Sequence, residues 1–306
     1  MRQIHFIAIV IFTLSLWACD SSGGSDLSSA ALLLNGSPSG SSCSGASTTD
    51  TPTTLTSTAT CSSAIYNLSD VPSLKTGAES GAPTCVTDIA AEAPCWMKQN
   101  FHCVKVVVSG SNYVITTTDM PPYKSYYYKD NASYQDTMDT VGGFYSNPNK
   151  ILAQNITMTI PVTPKLYTGC NDSTAGIDSV GISTLGAVIF NNQAAPGDSF
   201  STEYFTMDRA QGHPQNTGKY HYHTEPFKIT NDSDELIGLM LDGFPIYGKK
   251  IQGSSSYPTL DSTTHTRSCT TTHFPDGTYC YHVENDTSYN AYIIGSYFKG
   301  KRGSTN

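Results

Sequence analysis

From about residue 63 onward, apolar positions come in short runs or in strict alternation, and almost nowhere at the spacing of a helix face. Ile156, Met158, Ile160 and Val162 alternate with polar residues or proline, which predicts a strand with one buried face. Residues 104–108 and 113–117 are two strand-like runs joined by Ser109-Gly110-Ser111-Asn112, a hairpin with a short turn. Residues 186–190, 236–241 and 291–297 are mostly apolar and flanked by Gly, Asn or Pro, the pattern of interior strands. No stretch of twelve residues holds helical periodicity; residues 134–140 suggest one turn. The predicted fold is all-β, sandwich-like or a distorted barrel, spanning residues 63–306.

The N-terminus breaks this pattern. Arg2 precedes an apolar run over residues 4–16, too short to span a bilayer, and Leu16-Trp17-Ala18 leads into Cys19. Residues 1–18 read as an export signal of lipoprotein type, with Cys19 as the acylated first residue; an ordinary secretory signal cleaved nearby is the alternative. Residues 19–62 are rich in Ser and Thr with no aromatic and no Lys or Arg, a tether that buries too little apolar surface to order itself. The expected partner is therefore the membrane, reached through lipid on Cys19, and the expected location is the cell envelope.

Composition narrows the rest. The net charge of −8 and the scarcity of charged residues, 14%, speak against nucleic acid. Of nine cysteines, a lipidated Cys19 leaves eight, an even number that suggests disulfides in an exported chain. Proximity favours Cys43 with Cys61 and Cys269 with Cys280.

The chemistry concentrates late in the chain. Six of the eight histidines (His213, His221, His223, His265, His273, His282) fall between residues 213 and 282. In Tyr220-His221-Tyr222-His223 the side chains alternate faces on a strand, so both imidazoles share one face and both tyrosines the other. Imidazoles two apart can converge on one metal ion. The candidate ligands are His221, His223, His213 and His282, with Zn or Cu as the fitting ion. Asp208, Asp242, Tyr220 and Tyr222 are candidates for supporting positions, although an aspartate before Gly243 also reads as a turn residue. A structural His–Tyr hydrogen-bond network is the competing reading.

An internal repeat accompanies the histidines. Residues 181–191 resemble residues 238–248 at an offset of 57, and the segment from Gly212 to His223 is echoed by Thr272 to His282, pairing His213 with His273. Two halves about a pseudo-twofold axis are expected to bring both histidine strands together. Cys280 decides the second copy: a disulfide with Cys269 removes it as a ligand, and a free thiolate would suit Cu(I).

Ile160-Pro161-Val162-Thr163-Pro164, Gly186 to Asn191, Gly212-His213-Pro214, Tyr220 to His223, Asp242 to Gly248 and Tyr279 to Val283 follow the order found in YHYH-domain proteins, which the chain resembles over about residues 147–300. The resemblance implies an exported bacterial domain and supplies no mechanism. Two departures weaken a symmetric pair of sites: Cys280 stands where the family commonly has histidine, and Asp208-Arg209-Ala210-Gln211 replaces a frequent Asp-x-Cys-Gly.

Three functions are thus in contention. The first is a lipid-anchored, metal-binding domain with one asymmetric site. The second is a metal-assisted hydrolase with Asp208 or Asp242 as base. The third is a carbohydrate- or protein-binding module using Tyr123 and Tyr126 to Tyr128 as its contact surface.

Overall fold

The structure, a computed structural model, describes residues 81–138, 142–167, 174, 176–286 and 291–306. The export signal, Cys19, the tether and the Cys43–Cys61 pairing lie outside the described residues.

The first sheet is built from β1 (Asp88–Ile89), β2 (Val104–Ser109), β3 (Asn112–Thr117), β4 (Ile156–Pro161) and a late strand, Ser304–Thr305. The predicted hairpin is present: β2 and β3 pair antiparallel from Val104↔Thr117 to Ser109↔Asn112, turning at Gly110 with φ +57°. In β4, Ile156, Met158 and Ile160 are buried and the residues between them are not, as the alternation requires. A six-residue helix, α1 (Cys95–Asn100), buries Trp96 and Met97.

The second sheet holds β5 (Ser179–Ser183), β6 (Val188–Phe190), β7 (Gly212–Pro214), β8 (Tyr220–Tyr222), β9 (Leu236–Met240), β10 (Pro245–Tyr247), β11 (Thr266–Cys269) and β12 (Thr278–His282); the late strand Ser304–Thr305 is β13. A four-residue helix, α2 (Phe200–Glu203), interrupts the run between β6 and β7. The buried faces of the two sheets contribute to one continuous apolar core. The arrangement is sandwich-like and, among the described residues, no barrel closes. No helix among them is long and apolar enough to cross a membrane.

The order of the second sheet is β11-β12-β10-β9-β5-β6-β8-β7. Read from the centre outward, the two halves are the same: β5 and β9 pair antiparallel, each followed by an antiparallel neighbour (β6, β10), then a parallel one (β8, β12), then an antiparallel edge (β7, β11). The internal repeat is therefore a repeat of four strands about a pseudo-twofold between β5 and β9.

The expected consequence does not follow. Strands β8 and β12 sit next to opposite edges, with β6, β5, β9 and β10 between them. At roughly 4.8 Å per strand they are on the order of 24 Å apart. A twofold through the sheet centre separates whatever lies near its edges.

Two smaller expectations also fail. Residues 291–297 form no strand, although Ala291, Ile293 and Ile294 are buried; the segment hydrogen-bonds instead to scattered carbonyls, such as Ile293 N–H to His223. Of the turn expected over residues 134–140, the described residues 135–138 form no helical turn and Tyr134 ends a 3-10 turn, Ala132–Tyr134; residues 139 and 140 lie outside the described residues.

Candidate metal centre

β7 and β8 carry the intact copy of the histidine motif, paired in register as Gly212↔Tyr222, His213↔His221 and Pro214↔Tyr220. This pairing sets His213 directly across from His221, and His223 follows at the end of β8. The three rings form one cluster: His213 to His221 is 4.6 Å between centroids, His221 to His223 is 4.8 Å, and His213 to His223 is 5.7 Å. One ligand atom from each lies within 4.8 Å of the others, and all three residues are buried.

Each ring is held by its Nδ1. That of His223 is 2.7 Å from the Asn191 carbonyl, and that of His221 is 3.2 Å from the Lys219 carbonyl. A carbonyl can only accept, so both Nδ1 atoms carry their hydrogen. The Nδ1 of His213 lies 2.6 Å from Thr206 Oγ1, and that hydroxyl donates to the Glu203 carbonyl at 2.8 Å. With its proton committed there, Thr206 accepts from His213. All three Nε2 atoms therefore keep their lone pairs, and those of His213 and His223 are buried without a hydrogen-bond partner. Burial holds the imidazoles neutral: His213 is lowered to about 3, with the neighbouring His223 adding to the effect, and His223 to about 4. His221 is lowered by burial first and then by its two histidine neighbours. Phe190 stacks on His221 at 3.7 Å and Phe200 meets His223 edge-on at 5.2 Å, fixing the rings further.

A residue that motif reading missed stands beside this cluster. Glu203, the last residue of α2, places Oε1 3.6 Å from His213 Nε2, and its Oε2 is buried without a partner. Burial raises its carboxyl to about 7, opposed in part by the Ala195 N–H. It lies ten residues before His213 in a stretch without histidines, so only the packing of α2 identifies it. The cluster opens into a cavity of about 610 Å³ whose wall includes Glu203, Asn191, Asp198 and Gln215.

The supporting residues expected from sequence lie elsewhere. Asp208 is fully buried on the opposite face, where its carboxylate accepts from Tyr220 Oη (2.9 Å), Ser125 Oγ (2.5 Å) and the Ala210 and Gly212 N–H groups. Burial raises it to about 6, against those bonds. It orients the turn leading into β7 and does not touch an imidazole ring. Tyr220 covers Gly212 so closely that a Cβ there would come within 2.4 Å of the phenol, so only glycine fits. Tyr222 bonds Tyr123, as does Tyr220 at 3.2 Å. The tyrosines expected to form a binding surface are interior: Tyr123, Tyr127 and Tyr128 are buried, and Tyr126 and Tyr127 donate to the Thr206 carbonyl. They pin the residue that pins His213.

The second copy is built differently. β10 aligns Ile246 with Tyr281 and Tyr247 with His282, as β6 aligns Val188 with His221 and Ile189 with Tyr222. The counterpart of His223 is thus His282, and that of His221 is Cys280, which is bonded to Cys269 as expected. The counterpart of His213 is Arg267, which faces Cys280 across β11 and β12. His273, its expected counterpart, instead meets the Tyr247 hydroxyl at 2.9 Å. His282, with Nδ1 2.8 Å from the Gly248 carbonyl, is not part of the three-histidine cluster. Asp242 belongs to this half: its carboxylate accepts from Tyr281 Oη at 2.6 Å, Gly300 N–H at 2.7 Å and Phe244 N–H. It is a turn and tyrosine anchor with no bond to a histidine of the first copy. A second disulfide, Cys85–Cys103, joins the segment before β1 to the start of β2. The pairs Cys85–Cys103 and Cys269–Cys280 fit an oxidising compartment.

Fold and site together define an all-β domain with a buried three-histidine cluster on one half of a duplicated sheet. Residues 157–266 match the family described as YHYH protein. The match contains all three clustered histidines and stops at the first residue of β11, short of Cys280 and His282. Neither a curated protein nor a solved structure matches the chain.

Proposed function

We propose that this domain binds one transition-metal ion, zinc or copper, through Nε2 of His213, His221 and His223, and that it works outside the cytoplasm, anchored by lipid on Cys19. One observation carries the metal reading. All three Nδ1 atoms are committed to carbonyl or hydroxyl oxygens, which leaves three neutral Nε2 lone pairs in one cluster, those of His213 and His223 buried with no hydrogen-bond partner. Hydrogen-bond acceptors on Nδ1 are what fix ligating histidines, and neutral imidazole suits both ions. A thiolate-rich Cu(I) set is disfavoured because Cys280 is held in a disulfide. The apolar run before Ala18-Cys19 and the pairs Cys85–Cys103 and Cys269–Cys280 support export.

Elemental analysis of protein purified without a histidine tag, followed by zinc and copper titration, tests the site. One equivalent is expected; absence of bound metal together with absence of uptake overturns the reading. Mass spectrometry of the N-terminal peptide tests the anchor, with an acylated Cys19 expected.

A further inference from the structure

We propose that Glu203 holds the attacking water for metal-assisted hydrolysis of a neutral ester or amide at this site, an inference that rests on metal binding by His213, His221 and His223. Three protein ligands and an open fourth position mark catalytic zinc, whereas structural sites are closed by four. The cluster here has three, and its fourth side faces a cavity of about 610 Å³. Glu203 is close enough to matter and too far to be one of the set. Its Oε1 is 3.6 Å from His213 Nε2, yet the carboxylate is not among the groups that come within 4.8 Å of one another. That offset suits a carboxylate reaching the cluster through one water. Its Oε2 is buried without a partner, so an acceptor is available for that water.

The step balances without a further reactant. The water oxygen attacks the carbonyl carbon as its proton passes to the Glu203 carboxylate. The tetrahedral adduct then collapses, the C–O or C–N bond breaks, and Glu203 returns the proton to the departing alkoxide or amine. The products are a carboxylic acid and an alcohol or amine.

The cavity wall argues for an uncharged substrate. It carries the carboxylates of Asp178, Asp198 and Glu203 and the amides of Gln193 and Asn216, with no lysine or arginine. The ammonium of Lys219 sits 5.8 Å over the Phe190 ring and is not in the wall. A phosphate ester would meet like charge there.

The test uses full-length protein loaded with zinc, with 4-nitrophenyl acetate and bis(4-nitrophenyl) phosphate as probes. Turnover of the acetate above that of metal-free protein is expected, with little on the phosphodiester. Glu203→Gln should keep zinc stoichiometry, change zinc affinity less than tenfold, and lower kcat by about 10²-fold or more with little change in KM; Glu203→Asp should recover part of kcat. Zinc bound with no turnover overturns the inference and leaves metal binding standing. Equal kcat in Glu203→Gln removes Glu203 from the reaction, a loss of zinc with Glu203→Gln makes it a ligand instead, and preference for the phosphodiester removes the substrate class. Failure to bind zinc or copper overturns the metal reading and this inference with it.

Discussion

His213 and Arg267 occupy the same position in the two halves of the second sheet, each directly across from the middle residue of its partner strand, His221 in one case and Cys280 in the other. The duplicated architecture thus has two equivalent corners, and only one offers three imidazoles.

The stoichiometry follows. His213→Ala, His221→Ala and His223→Ala should each abolish or weaken metal uptake by at least about 100-fold, while His273→Asn and His282→Asn leave one full equivalent. Isothermal titration with zinc separates the two groups. Uptake that survives loss of any of the three, or that falls with His282→Asn, contradicts a single site on β7 and β8.

The Thr206 hydroxyl links His213 Nδ1 to the Glu203 carbonyl. Thr206→Val keeps shape but removes the acceptor for Nδ1–H, freeing the ring to rotate or change tautomer. Loss of such a partner costs about 10- to 100-fold in metal affinity, and Thr206→Ser should restore most of it. Zinc affinities of the two variants, with circular dichroism confirming the fold, check the expectation.

A pH effect belongs to the second copy. Burial lowers the His282 pKa from 6.5 to about 4, against the stabilising Gly248 carbonyl. Its folded pKa lies below the unfolded one, so the unfolded chain binds the proton more tightly and stability falls as pH drops through that window. His282→Asn preserves a donor to the Gly248 carbonyl and does not titrate. The stability gap between wild type and variant should therefore shift against wild type by up to about 3 kcal/mol between pH 7 and pH 4. Denaturant unfolding at both pH values measures it; a gap independent of pH would show that His282 titrates normally.

The sheet centre is intolerant of side chains. A Cβ on Gly238 in β9 would stand 2.1 Å from the Ile182 carbonyl oxygen in β5, a backbone atom that cannot swing aside. Gly238→Ala should cost about 1–3 kcal/mol, read as a drop of several degrees in Tm, and it should leave the metal stoichiometry of the folded fraction at one.

Strand identity was readable locally where alternation was strict. The burial of Ile156, Met158 and Ile160 and the hairpin around Gly110 follow from a period of two and a turn glycine. Residues 291–297 misled because an apolar run reports burial alone: this segment is buried by packing, with its N–H groups served by separated carbonyls and no ladder. Tyr123 and Tyr127 misled for the same reason in reverse, since a phenol reads as surface until a carboxylate or carbonyl is found for its hydroxyl. Glu203 was invisible because its approach to His213 depends on how α2 packs, across nine intervening residues.

The amino-acid sequence by itself determined the class of fold, the duplication, the shared face of His221 and His223, and the pairing of Cys269 with Cys280, because each rests on local periodicity or short separation. Tertiary structure alone decided that the halves meet at β5 and β9, which sends the histidine strands to opposite edges. It also decided that Arg267 and not His273 answers to His213, since strand register depends on loop lengths that sequence offsets do not share. Finally, it decided the state of the three imidazoles. Their neutrality and free Nε2 atoms come from burial and from carbonyl and hydroxyl partners, Asn191 and Thr206 among them, that only folding brings within reach.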